Sequence, residues 1–263
     1  YIYTSNGPME IQELQSHHSI FQESGSHEKV ERVLDHSYDG DLIVIHSDYD
    51  VSPLRITDEH PILSLCKGDK VASYVEAKEL VQGDHIVYSI PQYQQDDNYL
   101  SAEDAFMYGL IVGHGIILSN GETSMRIPIQ SGSRVNTYLE NRCILYTEEY
   151  ITENEVYITW KHSIDLPYTY SEVYKNNKAY ISPRWLFLNN EKTAAILEGI
   201  FVYSPDRTFQ SRYLVECIRF MCLRLGFLPK CKQHITSYQV NFPWTVSSYK
   251  MIGKTLQIGR AHV

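Results

Sequence analysis

The 263-residue chain is 43% apolar and 21% charged, the composition of a globular protein with enough core for one large domain or two ordinary ones. Its net charge is −9, with 32 Asp and Glu against 23 Lys and Arg, which argues against a protein whose main work is gripping nucleic acid, since phosphate neutralisation supplies much of that affinity. No segment reaches the roughly 18 apolar residues of a membrane span and no signal peptide opens the chain, so no membrane partner and an intracellular location are expected.

Residues 1–95 read as a small all-β unit. "YIYTSNG" ends at Asn6-Gly7, a strong turn dipeptide, and "PMEIQEL" follows. The stretch "KVERVLDHSYDGDLIVIHSDYDVSPLRITDEHPIL" alternates apolar and polar residues around Asp39-Gly40, which predicts antiparallel strands with one buried face. A short helix-like turn in "YVEAKEL", then Gly83-Asp84 and the strand "HIVYSI", complete the unit. Tyr1 already lies inside a strand pattern, so the natural start is expected upstream.

The texture changes at the polar linker "QQDDNY", and residues 96–257 read as a second region. Ser101 before "AEDAFMYGLIVG" is a helix cap, with Asp104 three residues on as a variant capping box. Strands are expected in "ETSMRIPIQ" and "EVYITWKHSI", a second helix in "NEKTAAILEGIFVYS", and a late strand in "YQVNFPW". "RYLVECIRFMCLRLGF" spaces Leu214, Ile218, Met221 and Leu225 as a helix ending at Gly226. Helix-strands-helix occurs twice, the mark of an internal duplication. Residues 258–263, "IGRAHV", match the translation of a common sequencing adapter and are set aside as an artefact, so the chain is expected to be a fragment at both ends.

Thr57 and His60 stand three apart at a strand end. In one reading the threonine bonds a neighbouring amide and the histidine is half-buried and structural. In the other, Pro61 holds His60 extended, its imidazole protonates a leaving amide nitrogen, and the Thr57 hydroxyl orients the same peptide bond. The run "YTSNGPMEIQEL … ITDEHPIL … AKELVQGDHIVY" resembles the N-terminal part of the Hint fold of inteins and hedgehog autoprocessing domains, with "ITDEHPIL" matching the intein Thr-x-x-His block. The resemblance covers about the first third of the chain. It implies that Thr57 and His60 assist an acyl shift at an N-terminal scissile bond, that no cofactor is needed, and that host exteins are partners in cis. The upstream Cys or Ser and the closing His-Asn of the family are absent from this sequence.

"MYGLIVGHG" (107–115) and "LEGIFVYSP" (197–205) share one shape, with Gly109 and Gly199 each in a short apolar helix end where helices can pack backbone to backbone. The pair resembles the doubled LAGLIDADG (DOD-type) motif of homing endonucleases, which inteins often carry as an insert. The resemblance implies an α+β chain: an all-β Hint horseshoe half, then a pseudo-twofold αββαββα endonuclease domain that is monomeric, acts on duplex DNA and uses Mg²⁺ in its ancestral form. Active members carry an acid at the penultimate motif position, whereas this chain has His114 and Ser204, poor ligands for a hard cation. Asp206 and Asp104 lie out of register, a slipped second motif that places Asp206 at the site being the other reading. Loss of strand cleavage is the expectation, with no metal bound and with splicing as the other ancestral activity; a non-catalytic DNA-binding module on the same scaffold is the alternative. Arg126, Arg134, Arg142, Lys161, Lys175, Lys178 and Arg184 are placed on strands of the concave face as candidate DNA contacts. Glu148, Glu149, Glu153 and Glu155 oppose them, so binding is expected to be weak and salt-sensitive. The five cysteines are odd in number and irregularly spaced, and Cys217, Cys222, Cys231 and His234 do not match a zinc ligand set, so buried free thiols are expected.

Overall fold

The computed structural model describes residues 1–92, 94–117, 120–161, 166–176, 178–204, 206–242 and, for the backbone, 257–262. It is a mixed α/β chain with several small sheets, divided into two compact units. One unit contains residues 1–92 and 208–242 with the strand at 257–262, and the other contains the described residues of 94–207.

The first unit begins with β1 (Ile2–Thr4), β2 (Gly7–Met9), β3 (Ser19–Phe21) and β4 (His27–Lys29), a four-stranded sheet in the order β2-β1-β3-β4. Its first hairpin turns at Ser5-Asn6, one residue before the expected Asn6-Gly7; Gly7 opens β2 with φ 99°, and its carbonyl accepts from the Thr4 hydroxyl at 2.9 Å. Then come β5 (Ile43–Ser47), β6 (Leu54–Ile56), β7 (Pro61–Leu65), β8 (Ser73–Glu76) and β9 (His85–Tyr88). Ile45, Ile62, Leu80 and Ile86 form their core, with Ile43, Ile56, Val75 and Tyr88 packed against it. Among the described residues of 1–92 only strands and single 3-10 turns occur, but the strands expected around Asp39-Gly40 are shorter than the alternation suggests. Residues 31–42 are exposed without regular structure, because neither face of that stretch finds a core to cover it.

The second unit runs α1 (Ala102–His114), β10 (Gly115–Ile117), β11 (Glu122–Pro128), α2 (Ile129–Glu140), β12 (Tyr146–Tyr150), β13 (Glu155–Lys161), α3 (Tyr170–Val173), β14 (Tyr174–Lys175), β15 (Lys178–Ala179), α4 (Pro183–Leu186) and α5 (Asn190–Ile200). The predicted cap of α1 is present: Ser101 Oγ accepts from the Asp104 amide at 3.1 Å, and Asp104 Oδ2 accepts from the Ser101 amide at 2.8 Å. Asn189 caps α5 in the same way through the Lys192 amide at 2.9 Å. The four-stranded sheet has the order β10-β11-β13-β12, and α2 packs Val135, Tyr138 and Leu139 on one of its faces.

The chain then continues through β16 (Asp206–Phe209), α6 (Arg212–Arg224), β17 (Lys230–Gln233), β18 (Tyr238–Asn241) and β19 (Gln257–His262). Residues 208–242, expected with the second region, belong instead to the first unit. A buried ion pair explains this. Arg219 of α6 reaches Asp50 Oδ1 at 2.9 Å and donates to the Tyr49 carbonyl at 2.6 Å, while Tyr88 donates to Asp50 Oδ2 at 2.8 Å. The Phe220 ring meets Tyr3 and Phe21 at 5.0 and 5.5 Å. The segment set aside at 258–263 overlaps β19, whose backbone pairs with β5 and β9 in a six-stranded sheet; its side chains and Val263 lie outside the described residues. Cys217, Cys222 and Cys231 are buried free thiols, and burial pushes Cys231 up to about 12.

Candidate functional site

The two glycine motifs form one seam. α1 and α5 pack along each other, and a methyl group added to Gly109 would land on the Ile196 carbonyl. One added to Gly199 would sit 2.6 Å from the Leu110 amide nitrogen, so no side chain larger than hydrogen fits between the helices. Gly113 continues the contact one turn on, with a methyl there 3.0 Å from Ile200 Cα.

Both helices end at this seam, and each leaves its last carbonyls without an intrahelical partner. Arg207 fills that need. Its Nη2 donates to the Gly113 carbonyl of α1 at 2.9 Å, and its Nη1 donates to the Ile200 carbonyl of α5 at 2.6 Å. His114 closes the cluster, with Nε2 2.6 Å from Arg207 Nη1 and 3.1 Å from the Ile200 carbonyl. A guanidinium has no acceptor, so the ring nitrogen facing it supplies a lone pair and the imidazole is neutral. Burial, with the Arg207 charge second, pushes His114 down to about 3. The Tyr203 ring lies 4.9 Å from that of His114, and burial raises its hydroxyl to about 12.

These residues do not suit a hard divalent cation. Such an ion needs anionic oxygen ligands, whereas the helix ends here meet a fixed positive charge and a neutral imidazole. Among the described residues no cluster of three or more His, Cys, Asp or Glu could hold a metal. Ser204 is half-buried, and its hydroxyl accepts from the Asp206 amide at 3.1 Å. Asp104 lies at the opposite end of α1, buried under the Tyr138 hydroxyl at 2.7 Å and the Arg142 guanidinium. Arg207 had no signal in the sequence: it follows the second motif as a lone basic residue, and nothing links it to position 114.

The open face of the four-stranded sheet is set by alternation. Thr123, Met125, Ile127, Val156, Ile158 and Trp160 are buried toward the helices, which turns Glu122, Ser124, Arg126, Glu155, Tyr157, Thr159 and Lys161 to the other side. Register adds Thr147 and Glu149 of β12 to that side. Arg126 is paired with Glu155 and Lys161 stands directly across from Glu122, so two cations face three carboxylates. Arg134 and Arg184, expected on strands, lie on α2 and α4. Arg134 binds Glu103 and Glu198, each at 2.9 Å, with its guanidinium 3.5 Å over the Phe106 ring. Arg184 binds Asp97 at 3.0 Å and Glu172 at 3.4 Å. Their reason is local: each has carboxylates from neighbouring segments within reach, and the pairing neutralises them.

In the first unit, Thr57 to His60 form the β6–β7 turn, with the His60 amide donating to the Thr57 carbonyl at 3.2 Å. The Ala77 amide donates to the His60 carbonyl and the Lys78 amide to the Asp58 carbonyl, both at 3.0 Å, so the turn is fixed to its neighbour. Thr57 is half-buried and His60 exposed.

No protein-family model and no curated protein matches the chain. Among solved structures it is similar to full-length DUF199/WhiA from Thermatoga maritima, at 10% identity and TM-score 0.39, over 53% of this chain and 50% of that one. The N-terminal LAGLIDADG domain of DUF199/WhiA matches at 10% identity and TM-score 0.39, over 54% of this chain and 76% of that one. I-DmoI in complex with DNA and Mn matches at 12% identity and TM-score 0.40, over 53% of this chain and 88% of that one. The chain spans half the length of the full-length WhiA protein. Its structural neighbours are thus LAGLIDADG proteins at low identity, and no helix among the described residues is long and apolar enough to cross a membrane.

Proposed function

We propose that the chain is an intein-type self-processing protein whose LAGLIDADG-type region has lost strand cleavage. The observation that carries the loss is the end of the glycine seam, where Arg207 and His114 stand in place of carboxylates. Metal-assisted hydrolysis needs anionic ligands for Mg²⁺, and none comes from the motif positions 114 and 204. A base with a pKa near 3 is also too weak to activate water at neutral pH, so the imidazole offers no metal-free route. Duplex DNA is the partner chemistry of this reading, held weakly through Arg126 and Lys161. Incubating the protein with a randomised duplex library and Mg²⁺ or Mn²⁺ tests the loss. No cut product is expected, and any divalent-dependent cut sequence refutes it.

Thr57 and His60 carry the self-processing half. The exposed imidazole before Pro61, on a turn held by two backbone bonds, suits a group that protonates the leaving amide nitrogen of a Cys or Ser nucleophile as its side chain takes the acyl carbon of an N-terminal extein, while the Thr57 hydroxyl steadies that bond. No cofactor is required. In a chain extended before Tyr1 by an extein and a Cys nucleophile, dithiothreitol should release the extein by thiolysis of the thioester, and His60→Ala should slow that release at least tenfold. Release at an unchanged rate in His60→Ala would remove the histidine from the mechanism.

A further inference from the structure

Every carboxylate expected at the seam is missing, yet the seam is closed. Two helix C-termini converge there, each carrying about half a negative charge in its unpaired carbonyls. Two like partial charges side by side need a cation or water between them. Arg207 meets the Gly113 and Ile200 carbonyls, one from each helix, through different nitrogens of one rigid fork. The second proton of Nη1 faces His114, which accepts it and thereby fills the remaining space with a neutral ring. The Tyr203 ring backs the imidazole.

We propose that Arg207 is a built-in cation: its guanidinium clamps the C-terminal ends of α1 and α5 together, so the seam needs no divalent ion and repels one. The clamp stands on geometry alone. Only its description as a replacement for metal rests on the LAGLIDADG reading. His114 is a positioning residue for the guanidinium, since an acid at that position would pair with Arg207 instead of with a metal. The seam therefore cannot regain an ion by one substitution at position 114, and the arginine has to leave as well.

The test uses the full chain. Thermal melts are recorded in EDTA and in millimolar Mn²⁺, with ¹⁵N-histidine spectra read for line broadening at His114. Wild type should melt at the same temperature in both and show no broadening. Arg207→Ala should melt lower by on the order of 5–10 °C. It should also let His114 titrate closer to its ordinary range, because the ring gains solvent and the neighbouring charge is gone. Arg207→Lys keeps the charge but not the fork, should fall between the two, and serves if the alanine variant does not fold. His114→Asp should gain no Mn²⁺ response, while Arg207→Ala with His114→Asp should melt higher in Mn²⁺ than in EDTA. An unchanged melt in Arg207→Ala overturns the clamp, and His114 broadening in wild type overturns the exclusion of metal. Strand cleavage by wild type would refute the loss of endonuclease activity while leaving the clamp to be judged by its own melts.

Discussion

Gly109 and Gly199 lie backbone against backbone, so that a methyl on Gly199 would stand 2.9 Å from the Gly109 carbonyl carbon. Alanine at either position gains up to about 1 kcal/mol of helix propensity, but its Cβ meets peptide groups that cannot rotate away. The clash wins. Gly109→Ala and Gly199→Ala should each lose about 2 kcal/mol, seen as a melting temperature lower by about 4–8 °C. An unchanged melt would mean that the helices separate freely and that the contact is incidental.

Asp50 and Arg219 are a buried pair, with side chains 19% and 6% exposed. Removing one partner leaves the other charge desolvated, which costs about 3–5 kcal/mol, far more than an exposed pair contributes. Asp50→Ala and Arg219→Met should each destabilise the first unit by that order in urea titrations. The double variant should lose much less than the sum. Additive losses would show that the two charges do not interact.

Acid should weaken the second unit through His114. Its folded pKa, about 3, lies below the ordinary 6.5, so the unfolded chain binds the extra proton between those values. Stability is therefore complete above about pH 6.5 and falls as pH drops toward 3, by at most about 1.4 kcal/mol per unit from this group. His114→Gln should flatten that limb in melts taken from pH 4 to 7. An NMR titration in which the His114 ring protonates near pH 6.5 would contradict the neutral, guanidinium-facing imidazole.

The open sheet face should bind duplex DNA poorly. With Arg126 held by Glu155 and Lys161 facing Glu122, few phosphates are neutralised, and a Kd of about 10–100 μM near 0.15 M salt is expected. Glu155→Gln combined with Glu149→Lys frees one cation and adds another. Fluorescence anisotropy at two salt concentrations should then show tighter binding and a steeper salt slope, by roughly one to two units. A nanomolar Kd for wild type would mean that DNA uses a different face.

Legibility in the sequence followed locality. The cap at Ser101, the glycine-bearing apolar stretches of α1 and α5 and the apolar period of α6 are short-range signals, and helices form there, although α5 stops at Ile200, short of the expected Ser204. α2 had no helix reading, and only its first two residues, Ile129 and Gln130, fell in an expected strand. Gly132, Asn136 and its β-branched residues are weak helix formers, and the helix exists because Val135, Tyr138 and Leu139 find a sheet to cover. The candidate site divides the same way. His114 and Ser204 were singled out by motif register, and Thr57 and His60 by their spacing at a strand end. Arg207 meets His114 across 93 positions and Arg219 meets Asp50 across 169, separations at which no local pattern carries information.

The 169-residue separation of Asp50 and Arg219 governs the order in which the chain can fold as it is made. The first unit is assembled from residues 1–92 and 208–242, so the part that α6 covers, around Tyr3, Phe21 and Asp50, cannot close while the intervening segment is still emerging. At a synthesis rate of about 5–20 residues per second, Asp50 waits roughly 8–34 s for the arginine that neutralises it. During that interval the nascent β-strands carry a carboxylate and an apolar surface with no lid, the condition in which a holdase chaperone would bind. The intervening unit, whose partners are nearer in sequence, has time to finish first.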